Sequence, residues 1–400
     1  MSTGWEDFLA GSLEEADRAG RLRRLRTVDS PQSTRVVLGG RQLANFSSND
    51  YLGLARHPAL VEAASAEGKA GGFGSGASRL VCGTLAAHER LEEAIAAFKR
   101  TPAALTFSSG YAAAMGTIPA LCSKDDVIVL DKLCHACLVD AARLSGAHLR
   151  VFPHNDPGKL ESHLRWANAT HPRARLLVLA ESVYSMDGDL APLRAIVDLK
   201  DRHGAWLFLD EAHGVGVLGT NGRGLADAEG VTERIEVQMG TLGKALGAHG
   251  AYIAGSASLR EFLINRARSF IYSTAPPAPV AAAARAAVEI LSGPEGTARL
   301  GKLWENIRTL DRALGKTAPL PDGSPGLPIP APGSAIVPII IGPEDRAMSA
   351  SATLFKDGFL VPAIRYPTVA RATARLRITL SADHAPDDIL GLAAALRKAL

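Results

Sequence analysis

The sequence predicts an α/β fold, with a mostly parallel sheet covered by helices on both faces and a smaller α+β unit after it. Three observations predict this. Short, continuously apolar runs alternate through the middle of the chain with longer segments of helical periodicity, as buried parallel strands and their crossovers require. The clearest runs, "VIVLD" (Val127–Asp131), "LLVLAES" (Leu176–Ser182) and "WLFLDEAH" (Trp206–His213), each end in polar residues at the carboxyl side. Beyond a proline- and glycine-rich stretch, Thr317–Ser334, the pattern changes to two apolar runs and two amphipathic segments.

Taken in order, the first segment repeats Trp5, Phe8, Leu9 and Leu13 at helical spacing, with acids early and arginines late. That is an amphipathic helix whose charges suit its dipole, and not a secretory signal. The strand-and-crossover pattern spans residues 48–290, with the helix and short strands over 1–47 before it and the smaller unit over 291–400 after it. Within the large unit the turn "SMDGDLAP" leads into a helix at Pro192–Asp201. Thr317–Ser334 reads as a connector. After it come "AIVPIII", a helix near Arg346–Lys356, "ARLRITL" and a last helix at Pro386–Leu400.

Composition narrows the function classes. With 47% hydrophobic and 21% charged residues and a net charge of +3, the chain gives no reason to expect nucleic acid or a membrane as partner. Four cysteines make no disulfide framework, and no apolar span is long enough to cross a bilayer. The expected location is cytoplasmic. Cys134-His135-Ala136-Cys137 is a C-x-x-C, but no second cysteine pair follows at finger-like spacing, so no metal site is expected.

In open α/β sheets, ligands sit beyond the carboxyl ends of the strands. Asp131–His135, Glu181–Ser185 and Asp210–His213 are therefore expected to converge on one crevice. A further residue needs explaining: Lys244, the one charge in "MGTLGKALG" (Met239–Gly247). A phosphate-binding loop would need a hydroxyl after the lysine and a longer glycine frame, and Ala245 follows instead. A structural lysine reaching the surface is the plain alternative. The third reading is a desolvated amine that holds an aldehyde cofactor, with small neighbours admitting a flat ring. Its company favours this one. Asp210 closes an apolar strand, where a carboxylate needs a cationic partner such as a protonated pyridine nitrogen. "FSSGYAAAMG" (Phe107–Gly116) sets a helix start after an apolar run, which suits a phosphate.

At these residues the chain resembles the α-oxoamine synthase family of fold-type I pyridoxal-phosphate enzymes. The likeness runs nearly end to end, through "NFSSNDYLGL" (Asn45–Leu54), "GSGASRLVCGT" (Gly74–Thr84), "ESVYSMDGD" (Glu181–Asp189), "DEAHGVGVLGTNGRG" (Asp210–Gly224), "GTLGKALG" (Gly240–Gly247), "IYST" (Ile271–Thr274) and "AIRYPTV" (Ala363–Val369), in the family's order. It implies a seven-stranded, mostly parallel sheet and a homodimer with a shared active site. "NFSSNDYLGL", "IYSTAPP" and "AIRYPTVARATARLRITL" are most similar to the branch that condenses L-alanine with a pimeloyl thioester, on CoA or a carrier protein, in biotin synthesis. Sister branches use glycine or serine with other acyl thioesters, and a non-catalytic nucleotide-binding protein is the alternative from another class. Ala370 and Ala372 depart from the proline and glycine common at those positions.

The resemblance also implies roles. Lys244 would hold the aldehyde of pyridoxal 5'-phosphate and then act as general base on the α-proton of the amino acid. Asp210 would keep the ring nitrogen protonated, and His135 would stack on the ring, with Glu181 in the same pocket. His213 and Ser185 would meet the phenolic oxygen. Gly110, Tyr111 and Thr241 would hold the phosphate, joined by Ser273 and Thr274 of a second subunit. Arg365, assisted by Asn49, would clamp the amino acid's carboxylate. Thr368 and Arg23, one of five arginines on the first helix, would touch the acyl donor.

Overall fold

The computed structural model describes residues 4–315, 317–318, 327–328 and 330–400. Its strands are β1 (Arg35–Leu38), β2 (Arg41–Asn45), β3 (Ala103–Phe107), β4 (Val127–Asp131), β5 (His148–Phe152), β6 (Leu176–Glu181), β7 (Trp206–Asp210), β8 (Val237–Thr241), β9 (Ala251–Gly255), β10 (Thr317–Ala318), β11 (Leu327–Pro328), β12 (Ile336–Gly342), β13 (Phe359–Leu360), β14 (Ala363–Ile364) and β15 (Ala374–Thr379). Seven of them form the central sheet in the order β3-β9-β8-β7-β6-β4-β5. Only β9 runs against its neighbours. The others are parallel.

The middle strands are apolar on both faces because both are covered. One face packs Leu105, Ile128, Leu177 and Phe208 against the helices Gly110–Leu121 and Ala136–Ser145. The other packs Val129, Val178 and Leu207 against Pro157–Thr170 and Leu193–Arg202. Every crossover returns the next strand to the same end, so β3, β4, β6, β7 and β8 deliver their last residues to one edge of the sheet. The helix expected at Pro192–Asp201 starts at Leu193, with Pro192 as its cap.

The C-terminal part contains a three-stranded sheet, β12-β15-β14, with the helices Glu344–Lys356 and Pro386–Ala399. Strands β1 and β2 join it through β13, which pairs parallel to β2. The segment around residues 35–45 therefore packs with the end of the chain. Most of the expected connector Thr317–Ser334 lies outside the described residues; within it, β10 pairs antiparallel with β11.

The first helix covers Gly4–Arg18 and buries none of its residues, with Trp5, Phe8 and Leu13 all exposed. Arg23 was expected on this helix and is not. The chain turns at Ala19–Gly20, where Gly20 has a φ of +62° and Arg21 N donates back to the Ala16 carbonyl, a left-handed helix end. Among the described residues no helix is long and apolar enough to cross a membrane.

Candidate active site

The edge where the strands end carries the functional side chains. β8 ends at Thr241, and the turn after it brings the Lys244 amine within 2.8 Å of His213 Nε2, three residues past the end of β7. Two of the glycines around the lysine answer to the chain's own packing, which corrects the reading that they clear space for a ring. A Cβ on Gly247, at φ +63°, would sit 2.4 Å from Ala55 N, and one on Gly240 would meet the Tyr252 hydroxyl. Gly243 alone stands clear of such crowding.

From Lys244 a chain of hydrogen bonds leads into the molecule. His213 Nδ1 lies 2.7 Å from the hydroxyl of Tyr51, which donates to Asn49 Oδ1 at 3.2 Å. The same Asn49 oxygen accepts from both terminal nitrogens of Arg377, each at 3.2 Å, and Arg377 Nε donates to the Ser185 carbonyl at 2.6 Å. Desolvation, followed by the charges of Lys244 and Arg377, pushes the His213 imidazole well below its ordinary pKa, so it is neutral. Desolvation also lowers Lys244 to about 8, although Asp210 and Glu181 pull the other way. Tyr51, fully enclosed, rises to about 12 and stays a hydroxyl.

Glu181 and Asp210 stand opposite each other in the β6–β7 register, both buried. Desolvation and the neighbouring Asp210 raise Glu181 well above the carboxylate range. Desolvation also raises Asp210, but Lys244 is the strongest opposing influence, so Asp210 is the better-supported carboxylate. Glu181 accepts the His135 backbone N–H. His135 caps the helix Ala136–Ser145 through its ring, whose Nδ1 accepts from Cys137 N at 3.2 Å and lies 3.0 Å from Cys137 Sγ. The ring is open to solvent, while the protein behind it lowers its pKa by desolvation. Cys134 and Cys137 are both buried free thiols.

Gly110 starts the helix Gly110–Leu121, and Ser109 caps it by accepting from Ala112 N at 3.0 Å. Tyr111 is exposed, its hydroxyl donating to Asp140. Thr241 holds the lysine turn: its hydroxyl donates to the Gly250 carbonyl and accepts from Gly243 N. Ser185 is buried beside this network through its carbonyl. Ser273 and Thr274 make no hydrogen bond to it. Thr274 is exposed and bridges to Ser78.

Three predicted residues gather elsewhere. Arg23, Arg365 and Thr368 line an open cavity of about 580 Å³ with Glu15 and Arg21. Arg365 therefore stands with Arg23, while Asn49, expected beside Arg365, is held by Arg377. Two other polar strand-end residues are bonded to partners outside the Lys244 network. Asp131 is taken up by His154 and by the Leu133 and Asn155 backbone, and Glu211 by Lys99.

The sequence reading missed Tyr51 and Arg377. Arg375 and Arg377 alternate with apolar residues inside "ARLRITL", and both are buried. Two arginines two apart in an otherwise apolar strand were the available signal, since such charges are rarely enclosed without a task.

Residues 41–396 match the family model for class I and II aminotransferases. The chain belongs to the class I and II aminotransferase family. It is 47% identical to an 8-amino-7-oxononanoate synthase of Geobacter sulfurreducens, over 98% of this chain and 97% of the relative. Among solved structures it is similar to serine palmitoyltransferase from S. paucimobilis with bound PLP and myriocin, at TM-score 0.90 and 27% identity over 98% of this chain and 96% of that one. It is also similar to 8-amino-7-oxononanoate synthase from Francisella tularensis, at TM-score 0.72 and 27% identity over 89% and 97%. These relatives put the chain on the α-oxoamine synthase branch its motifs resemble, with the fold-type I architecture.

Proposed function

We propose that the chain condenses L-alanine with a pimeloyl thioester to give 8-amino-7-oxononanoate, carbon dioxide and free thiol, the biotin-pathway reaction, with pyridoxal phosphate as cofactor. The observation that carries this is the Lys244 amine, of lowered pKa, held against a neutral imidazole beside the enclosed Asp210, in a chain whose relatives bear that enzyme's name. The residues fit the cofactor. Asp210 and Glu181 are enclosed together with Lys244 as their nearby cation, and a protonated ring nitrogen supplies Asp210 with a cationic partner of its own. When bound, pyridoxal phosphate contributes an aldehyde for the lysine and a ring that accepts carbanion charge.

The other contributions come from the chain. Lys244, whose hold on a proton burial weakens, takes the amino acid's α-proton. Asp210 keeps the ring nitrogen protonated. His135, seated by Glu181, covers the ring face, and His213 and Ser185 face the phenolic oxygen. Gly110, Tyr111 and Thr241 take the phosphate, with Ser273 and Thr274 from a second copy. Arg377, rather than Arg365, clamps the alanine carboxylate: it already shares Asn49 and lies in the electrostatic field of Lys244. Arg23, Arg365 and Thr368 receive the acyl donor.

The homodimer is supported by Phe73, Leu80, Val81 and Tyr272, exposed large side chains close in sequence to the Ser78–Thr274 bridge. A cytoplasmic location is supported by four free thiols. The same reading takes residues 48–290 as the cofactor domain, flanked by 1–47 and 291–400. Borohydride reduction of the yellow holoenzyme, followed by peptide mass analysis, should fix the cofactor on Lys244. Product should form from L-alanine with a pimeloyl thioester. A product formed only from glycine and a succinyl thioester would overturn the choice of substrate.

A further inference from the structure

The loop after β6 is fastened from two sides. Its base is closed by the Val183–Leu190 bridge, and its tip carries Ser185, Met186, Asp187 and Gly188. The C-terminal part grips the tip. Arg377 Nε donates to the Ser185 carbonyl, Arg375 bonds Asp187 and the Met186 carbonyl, and Ser334 Oγ donates to the Gly188 carbonyl. Gly188 itself, at φ +68°, lies so close to Ile336 that a Cβ would fall 2.2 Å from its carbonyl oxygen.

The large sheet grips the other side through one imidazole. His154 follows β5 and sits between two carboxylates: Nδ1 is 3.0 Å from Asp131 Oδ1 at the end of β4, and Nε2 is 2.8 Å from Asp189 Oδ2 in the loop. Both ring nitrogens face acceptors, so both are donors only in the imidazolium form. Tyr184 packs edge-on against the ring at 4.4 Å and 87°. Asn155, at φ +53°, adds a second tie: its Nδ2 donates to Asp189 Oδ2 and to the Leu190 carbonyl, each at 3.0 Å. Nothing in this cluster belongs to the Lys244 network, yet it anchors the loop whose carbonyl at Ser185 orients Arg377.

We infer that His154 is a positioning residue for amino-acid binding: held between Asp131 and Asp189, it sets the loop that aims Arg377 at the substrate carboxylate. This rests on the reading of Arg377 as the carboxylate clamp. Its pKa agrees with a permanent cation, since the two carboxylates outweigh desolvation and raise it to about 10. The charged groups facing it are those two acids, with Tyr184 the remaining titratable neighbour.

The test is a double-mutant cycle in the holoenzyme with His154→Gln and Arg377→Lys. His154→Gln should raise the KM for L-alanine about tenfold, with the KM for the thioester unmoved and kcat lowered by no more than about threefold. The two effects should be strongly non-additive, because the first variant acts through the second residue. Asp189→Asn should shift the alanine KM in the same direction by a smaller factor, and circular dichroism of each cofactor-free variant checks its fold. Equal losses in both substrates' KM, or additive effects of His154→Gln and Arg377→Lys, would overturn the proposal. If Arg377→Lys left the alanine KM unchanged, the clamp assignment itself would fall. An alanine KM raised by Arg377→Lys but untouched by His154→Gln would sink only the role of His154.

Discussion

Two groups of predicted residues ended in contrasting surroundings. Around Lys244, the side chains of His213, Tyr51, Asn49 and Arg377 are linked by hydrogen bonds within the protein, and enclosure shifts the pKa of Lys244, His213, Asp210 and Tyr51. Around Arg23 and Arg365 the walls are open, and the arginines face a solvated cavity that Arg21 and Glu15 share. The contrast teaches a division of labour. Desolvation is what turns an ordinary lysine into a base near neutral pH. An open cationic cavity cannot do this, but it attracts an anionic substrate from a distance and releases it readily.

Predictions that break or sharpen the contrast run from the enclosed centre outward. Lys244→Ala should abolish covalent cofactor retention and lower kcat by at least about 10²–10⁴-fold, the usual worth of a placed general base. Retained turnover with the visible band intact would refute the assignment. Asp210→Asn should keep the shape of the pocket and lose about 10²–10³-fold in kcat, because the ring nitrogen loses its charged partner. That loss is read from steady-state rates with cofactor in excess.

In the cofactor-free protein, Lys244 should react with an amine-directed acylating reagent with a midpoint near pH 8. The sign for stability follows. A lysine lowered on folding leaves the unfolded chain holding more protons between about 8 and the ordinary lysine range, so this group's contribution to stability rises with pH there. Comparing pH-dependent melting of the cofactor-free protein with that of Lys244→Met isolates the contribution. A difference of opposite slope would contradict it.

The open cavity should respond differently. Arg23→Ala or Arg365→Ala should raise the KM for the acyl donor by about tenfold at low salt, and less as ionic strength rises. The KM for alanine should stay put. A large change in alanine KM with Arg365→Ala would return the clamp to that residue and erase the division.

The smallest effect concerns Ala372, which holds a φ of +57° on the exposed turn before β15. A left-handed alanine costs roughly 1–2 kcal/mol, and glycine gives back part of the gain as unfolded-state entropy. Ala372→Gly should therefore raise stability by about 1 kcal/mol or less, measured by denaturant unfolding. The familiar glycine at this place reflects backbone shape, and the alanine carries the strain.

Much of this protein was legible before any coordinates. Alternating apolar runs and helical segments dictated a covered parallel sheet, because a strand buried on both faces has no tolerance for polar side chains. Local chemistry also marked Lys244, Asp210, His213 and His135, each an expensive group at the end of an apolar run. What the tertiary structure alone decided was pairing across distance. Asn49 meets Arg377 across more than three hundred residues, and Arg365 swings to Arg23 instead of Asn49. No local pattern encodes such contacts, since they depend on how segments distant in the chain close on each other. The sequence thus determined which groups are reactive, and the packing of the chain determined which of them face one another.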